Sequence, residues 1–151
     1  MHHSRLVGGL AALAVLLTLA VTPLAVAAKA NAHPVDSSAV GIAKRYLGVP
    51  YFFGGASPSG FDASGFTKYV FGQLGVKLPH GATAQQQLSR RVPLAKLRRG
   101  DLVFWGSKSY SRRVGIYVGR GRVILTSRSK TYVGYAAIRG AWIGGRLLPL
   151  R

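Results

Sequence analysis

A helical pattern of apolar residues begins about one quarter of the way along the chain. We predict a first helix over residues 38–47, whose apolar positions recur every three to four residues. Asp36 or Ser37 would cap this helix, because short polar side chains accept hydrogen bonds from the free N–H groups of a first turn. The apolar face consists of Val40, Ala43 and Leu47.

Two further helices are predicted before residue 90. The longer one begins near Asp62, which is its cap, and runs to about residue 74. Its buried stripe has a spacing of four residues and consists of Phe66, Val70 and Leu74. A short third helix would run from a cap at Thr83 through the three glutamines at 85–87. Residues 56–60 are rich in Ser, Pro and Gly, which predicts a loop between the first two helices.

From residue 100 onward the pattern changes to short apolar runs, which is typical of strands. Gly119-Arg120-Gly121 separates two of these runs and has the composition of a hairpin turn. Helices followed by a meander of strands predict an α+β domain with its helices packed on an antiparallel sheet. The four predicted strands cover residues 102–105, 114–118, 123–125 and 132–138.

The first thirty residues have the order of a secretory leader. A weakly basic start with Arg5 is followed by residues 6–28 without a charge, and then by small-residue signals such as Ala25-Val26-Ala27. This order predicts a cleaved signal peptide at 1–30, although an apolar run of this length also fits an uncleaved membrane anchor. Either alternative places the domain outside the cytoplasmic membrane. We expect a short linker at 31–37 and one domain at 38–151.

The composition of that domain excludes some site types and leaves others open. The chain has no cysteine, which excludes disulfides and thiolate metal sites, and its four histidines form no metal-ligand pattern, so we expect no cofactor or metal. After residue 30, 19 basic residues face three acidic ones, a net charge of about +16. Such a field attracts nucleic acid, anionic wall polymers and anionic lipids alike, and a compositional bias toward arginine is the alternative explanation.

Five segments in a fixed order resemble the NlpC/p60 family of peptidoglycan endopeptidases, across residues 38–138. The resemblance implies a papain-like fold in which a helix carrying the nucleophile packs on an antiparallel sheet. Active family members hydrolyse the peptide stems of the bacterial cell wall. The segments are Pro50-Tyr51-Phe52-Phe53-Gly54-Gly55, Gly60-Phe61-Asp62-Ala63-Ser64-Gly65, Leu78-Pro79, Gly100-Asp101-Leu102-Val103-Phe104 and Val114-Gly115-Ile116-Tyr117-Val118-Gly119.

The same resemblance shows that all three catalytic positions are vacant. The family's cysteine stands where this chain has Ala63, its histidine where this chain has Arg113, and its third polar residue where this chain has Leu125. A methyl group is no nucleophile, arginine stays protonated and is a poor base, and leucine cannot orient a partner. Loss of all three favours natural divergence over a laboratory Cys-to-Ala change. The chain resembles the family's non-catalytic members, which carry the same alanine.

A rescued activity through Ser64 is the alternative. One position along a helix turns the Ser64 side chain by about 100° from the old site. The resemblance places no histidine beside Ser64, and we expect His80 to be a solvated loop residue.

Recognition of a stem peptide is a different matter, because the binding residues implied by the resemblance are present. Tyr51, Asp62 and Ser64 match the family residues that hold the free amine end of the stem. Arg113 would add a cation that pairs with the carboxylates of the wall peptide. The competing interpretations are that Asp62 is only a helix cap, Tyr51 a packed aromatic and Arg113 a solvated side chain.

Three remaining residues are assigned structural roles. Asp101 follows a glycine ahead of a strand, which is typical of a turn. Trp105 and Trp142 are predicted to pack in the core or at a sheet edge rather than to line a groove.

The sequence therefore predicts a secreted, monomeric, catalytically inactive NlpC/p60-like protein that binds peptidoglycan stem peptides. Anionic wall polymers and an active cell-wall hydrolase are the further partners considered, and no specific nucleic acid is expected. The rival hypotheses are an endopeptidase with a non-standard nucleophile and a purely electrostatic binder of anionic polymers or lipids.

Overall fold

The computed structural model of the chain describes residues 34–147, with side chains from residue 38 onward. The predicted leader at 1–30 and the last four residues lie outside this range, so the predicted signal peptide is not tested by it. Residues 34–37, predicted as part of a linker, are helical. Within the described range, no helix combines the length and apolar character needed to cross a membrane.

The first helix, α1, begins earlier than its apolar pattern predicts. It spans Pro34–Lys44, so the predicted caps Asp36 and Ser37 lie inside its first turn instead of ahead of it. Beyond Lys44 the chain continues as tighter turns until Gly48, whose φ of 87° ends them. Leu47, predicted on the buried face, is 39% exposed.

The second helix, α2, confirms the predicted cap. It spans Ala63–Gly72, and the Asp62 carboxylate accepts a hydrogen bond from the Gly65 N–H at 2.6 Å. Of the predicted stripe, two residues are fully buried, whereas Leu74 lies beyond the end of the helix and is half-buried.

The third helix, α3, spans Ala82–Leu88 and is capped by Gly81, so the predicted cap at Thr83 is wrong. The Thr83 hydroxyl instead bonds the backbone of Ser111, donating to its carbonyl at 3.2 Å and accepting from its N–H at 3.0 Å. That contact joins α3 to the start of a strand 28 residues away.

In the described part of the chain, eight strands form a short hairpin and a six-stranded antiparallel sheet, which confirms the predicted α+β class. The strands are β1 Ala56–Ser57, β2 Gly60–Phe61, β3 Arg90–Val92, β4 Leu102–Gly106, β5 Ser111–Gly119, β6 Arg122–Leu125, β7 Gly134–Ala137 and β8 Ile143–Arg146. In the sheet, the order β3-β8-β4-β5-β6-β7 places the last strand between β3 and β4. All four predicted strands and the hairpin turn at 119–121 are present. Strands β3 and β8 were not predicted, and the predicted loop at 56–60 contains the two-stranded hairpin.

The sheet separates two apolar clusters. The larger one lies between the sheet and helices α1 and α2, and includes Phe66, Val70 and Phe104. The smaller one covers the other face around Trp105 and Leu125. Alternate residues of a strand point to opposite faces, which is why neighbours on β4 belong to different clusters. Helices α1 and α2 therefore pack on one face of the sheet, and the N-terminus of α2 lies toward the sheet.

Asp101 has the structural role predicted for it, and a larger one than a turn. It is 1% exposed, it accepts a hydrogen bond from the Arg98 N–H at 2.8 Å, and it forms an ion pair with Arg146 at 2.7 Å. The ion pair links the start of β4 to the end of β8. Trp105 is buried as predicted, whereas Trp142 is 45% exposed.

Candidate binding cleft

A cleft of about 710 Å³ opens between the N-terminus of α2, the loop before β1 and the first residues of β5. Its size is in the range that holds a ligand of a few amino acid residues. Five of the six predicted site residues line it, and Leu125 does not. The lining residues are Tyr51, Phe53, Asp62, Ala63, Ser64, Ala82, Tyr110, Ser111, Arg112, Arg113, Ser127, Arg128 and Ser129.

Asp62 accepts most of the hydrogen bonds that hold one wall of the cleft together. Besides capping α2, its carboxylate accepts hydrogen bonds from the Ser64 hydroxyl at 3.2 Å and from the Gly54 N–H at 3.1 Å. The Asp62 carboxylate therefore ties the loop before β1 to the helix. Glycine at position 65 permits this close approach, because a Cβ there would lie 1.9 Å from the Gly55 carbonyl oxygen.

His80 lies in a loop and is partly exposed, as expected, but it also contacts the Asp62 carboxylate, which was not predicted. Its Nε2 lies 2.8 Å from one Asp62 oxygen and 2.9 Å from the other. The His80 side chain is 33% exposed and the Asp62 side chain 18% exposed. Asp62 thus has an internal partner in His80, which is not among the residues that line the cleft.

Ser64 is not arranged as a nucleophile. The residue is 8% exposed, and its hydroxyl donates to Asp62. In a Ser-His-Asp triad the histidine stands between the hydroxyl and the carboxylate. Here the carboxylate stands between Ser64 and His80, and no hydrogen bond joins these two in the described part of the chain. A hydroxyl that donates to a carboxylate with no base beside it is not activated for attack.

The three positions that resemble a catalytic triad hold no acid–base chemistry. Ala63 lines the cleft as the first residue of α2, and Arg113 lines it near the start of β5. Leu125 is 2% exposed and packs in the smaller apolar cluster. Within residues 34–147, no group of three or more His, Asp or Glu side chains is arranged to hold a metal ion.

Arg113 is held in a defined setting. It is the cross-strand partner of Trp105, and its guanidinium carbon lies 4.3 Å from the centre of the Trp105 ring. Its Nε is buried and has no hydrogen-bond partner. Burial lowers the pKa of Arg113 from the usual arginine value, and the charge of Arg112 lowers it further. The solvated interpretation therefore fits Arg112, which is exposed, and not Arg113.

The glutamines of α3 brace the cleft, a role that sequence reasoning missed. The buried Gln85 side chain donates to the Ser64 carbonyl at 2.9 Å and to the Pro79 carbonyl at 2.8 Å, and accepts from the Thr67 hydroxyl. Gln86 accepts from the Ser111 hydroxyl and donates to the Ser107 carbonyl. Three consecutive glutamines on a seven-residue helix are too polar for a helix that only packs in the core. This polarity was the sequence signal that could have indicated their bracing role.

Tyr51 and two exposed aromatic residues form the rim. Tyr51 is half-buried, and its N–H donates to the Thr131 carbonyl at 2.7 Å. Phe53 is 76% exposed and Tyr110 is 61% exposed. The rim therefore offers apolar surface on both sides of the polar walls.

The comparisons with known proteins agree with this architecture. The sequence profile described as the NlpC/P60 family matches residues 48–149. The gamma-DL-glutamyl hydrolase of Bacillus subtilis is 42% identical over 105 residues, which are 67% of this chain and 25% of that protein. The chain spans between 16% and 25% of the length of the curated relatives it matches.

Two solved structures from Mycobacterium tuberculosis share the fold. The peptidoglycan hydrolase RipB superposes with a TM-score of 0.71 at 30% identity, covering 81% of this chain and 69% of RipB. RipD, described as a non-catalytic NlpC/p60 domain protein with an adaptation to peptidoglycan binding, has a TM-score of 0.68 at 24% identity. That match covers 78% of this chain and all of the RipD chain, and it shows likeness of fold.

Proposed function

Since the chain belongs to the NlpC/P60 family, we propose that it is a secreted protein that binds the peptide stems of peptidoglycan without hydrolysing them. The observation that carries this proposal is an intact cleft in which the nucleophile and base positions hold Ala63 and Arg113. Neither side chain can attack a carbonyl or accept a proton at neutral pH. A binding function requires the walls of the cleft and not the missing groups.

The amine end of a stem peptide would lie at the α2 wall. Tyr51, Asp62 and Ser64 line that part of the cleft, and Asp62 supplies a carboxylate beside the helix N-terminus. A ligand ammonium would share this carboxylate with His80 or displace it, which the partial exposure of both side chains permits.

The relatives supply precedents for both halves of the proposal. RipB is named as a peptidoglycan hydrolase, and RipD is described as non-catalytic and adapted to peptidoglycan binding. The first precedent concerns the ligand class, and the second concerns the loss of catalysis within the same fold. In this chain the secreted location rests on the predicted leader at 1–30.

The basic charge would add a second, less specific attraction to anionic wall polymers. Exposed charges of this kind are screened over about 8 Å at physiological ionic strength. The bound protein would tether itself to the wall, mask stems from active relatives or position a partner hydrolase.

Co-sedimentation with purified sacculi stripped of anionic polymers tests this function at roughly physiological salt, where surface charge is already screened. We expect the wild type to pellet and to release no muropeptides. Asp62→Asn should pellet less, whereas Arg90→Gln, an exposed change on β3 outside the cleft, should pellet like wild type. Release of muropeptides that disappears in Ser64→Ala would refute the inactive reading. Equal pelleting of all variants only at low salt would show that charge is the function.

A further inference from the structure

The described residues that line the cleft are unequal in charge. Three arginines, Arg112, Arg113 and Arg128, face one acid, Asp62. The Asp62 carboxylate already accepts from two backbone N–H groups, the Ser64 hydroxyl and His80. The wall formed by β5 and the loop after β6 therefore carries positive charge that no neighbouring carboxylate neutralises within the described residues.

Arg113 is the fixed element of this positive wall. A guanidinium stacked on an indole keeps its planar fork in one orientation and loses little entropy on binding. Its buried Nε lacks an acceptor, and a buried polar group without a partner is costly. An anion in the cleft would relieve the repulsion from Arg112 that contributes to the lowered pKa of Arg113.

Hydroxyl groups stand beside the arginines. Ser127 and Ser129 flank Arg128 in the loop after β6, and their hydroxyl oxygens lie 3.1 Å apart. Both side chains line the cleft, where they offer donors to a carboxylate alongside the charged forks. Arginine pairs with planar carboxylates through two parallel hydrogen bonds, which gives both affinity and geometric selectivity.

We infer that this wall, defined by Arg112, Arg113, Arg128, Ser127 and Ser129, is a carboxylate receptor. It makes the cleft select stem peptides with a free glutamyl carboxylate over peptides in which that carboxyl is amidated. The inference rests on the proposed function, since it names which stem peptides the same cleft takes. The ligand is then zwitterionic, with its ammonium at Asp62 and its carboxylate at the arginine wall.

Two synthetic peptides that differ only at this carboxyl test the inference. Both are L-alanyl-γ-D-glutamyl-L-lysine amide, one with the glutamyl α-carboxyl free and one with it amidated. Calorimetric titration at roughly physiological salt should show the acid binding about 10-fold tighter than the amide, the fold-change expected for a charge-assisted hydrogen-bonded pair. Arg113→Gln should reduce this ratio to about 1–2, and Arg128→Gln should reduce it partially.

Matched controls separate geometry from charge. Arg90→Gln removes one exposed charge outside the cleft and should leave the ratio unchanged. Arg113→Lys keeps the charge but loses the stacked fork, and should fall between wild type and Arg113→Gln. The thermal midpoint of each variant shows whether it remains folded.

The outcomes distinguish this inference from the proposed function beneath it. Equal binding of acid and amide by the wild type overturns the receptor and leaves stem-peptide binding standing. A ratio that survives in Arg113→Gln and Arg128→Gln also overturns it. Failure of both peptides to bind refutes the receptor and the proposed function together.

Discussion

Asp62 is both a structural cap and the proposed amine ligand, and two substitutions separate these roles. Asp62→Ala removes every hydrogen bond that the side chain accepts. Asp62→Asn keeps an oxygen that can cap α2, because asparagine is about as good an N-cap as aspartate, but it removes the negative charge. Stability should follow the cap, and binding should follow the charge.

The structure sets the size of the stability effect. Loss of the 2.6 Å cap to Gly65 costs about 1 kcal/mol of unfolding free energy, and loss of the Gly54 bond costs about 0.5–1 kcal/mol. The partly exposed pair between Asp62 and His80 adds little to the free energy of unfolding, since ion pairs near the surface are screened. Asp62→Ala should therefore lower the free energy of unfolding by about 2 kcal/mol and the thermal midpoint by about 10 °C. Asp62→Asn should lower the free energy of unfolding by less than about 1 kcal/mol.

The binding assay uses one peptide with a free amine and the same peptide N-acetylated. Wild type should prefer the free amine by about 10-fold, the effect of one charge-assisted hydrogen bond. Asp62→Asn should bind both forms with the weak affinity that wild type shows for the acetylated form. Should Asp62→Asn retain the wild-type preference, Asp62 is only a cap and the amine reading fails.

Three further changes test the remaining steps of the argument. Arg146→Met should destabilise the domain by about 3–5 kcal/mol in a denaturant titration, because it leaves the buried Asp101 carboxylate unpaired; a loss below about 1 kcal/mol would contradict this. Ala63→Cys alone should stay at least about 100-fold less active on muropeptides than Ala63→Cys with Arg113→His, because a general base contributes that much. Equal rates would show that Arg113 does not occupy the base position. His80→Ala should tighten binding of a free-amine peptide about 1.5- to 5-fold by removing a competing partner of modest strength, and weaker binding would show that His80 orients the site.

Local signals predicted the part of the fold in which sequence neighbours determine the structure. Helix α2 has a side-chain cap at Asp62 and a buried stripe within ten residues, and both features could be predicted from the sequence. Helix α1 includes Asp36 and Ser37, which were predicted as caps ahead of it. Thr83 had the right chemistry for a cap but met Ser111 across the fold.

The two unpredicted strands of the sheet lack strand composition for physical reasons. Strand β8 contains Gly144 and Gly145, where a Cβ would lie 2.4 Å from the Leu97 side chain and 2.1 Å from the Ser89 hydroxyl. Close packing favours glycine there, and two glycines in a four-residue strand remove the alternating pattern that identifies a strand. Strand β3 is a short edge with two arginines, a composition that protects an edge and hides it from pattern reading.

The candidate site was predicted residue by residue, but not its contacts. Family resemblance supplied Tyr51, Asp62, Ser64 and Arg113, all of which line one cleft. The pairing of His80 with Asp62 joins residues 18 positions apart, and neither residue type nor spacing encodes it. The stacking of Arg113 on its β4 neighbour depends on strand register, which the loop between β4 and β5 left undetermined.

The side chain at the position that resembles the family's base is informative. Any residue that does not titrate would remove a general base. An apolar side chain would remove it without the cost of desolvating a charge. Arg113 instead buries part of a cation, leaves its Nε without an acceptor and lies beside a like charge on Arg112. Within the described residues, the other buried side-chain atom without a partner is the Thr126 hydroxyl, next to Ser127 of the cleft. Departures from local consistency concentrate where function requires them. Both unsatisfied groups belong to or adjoin residues of the arginine wall, so the proposed carboxylate receptor coincides with the described buried side chains that lack partners.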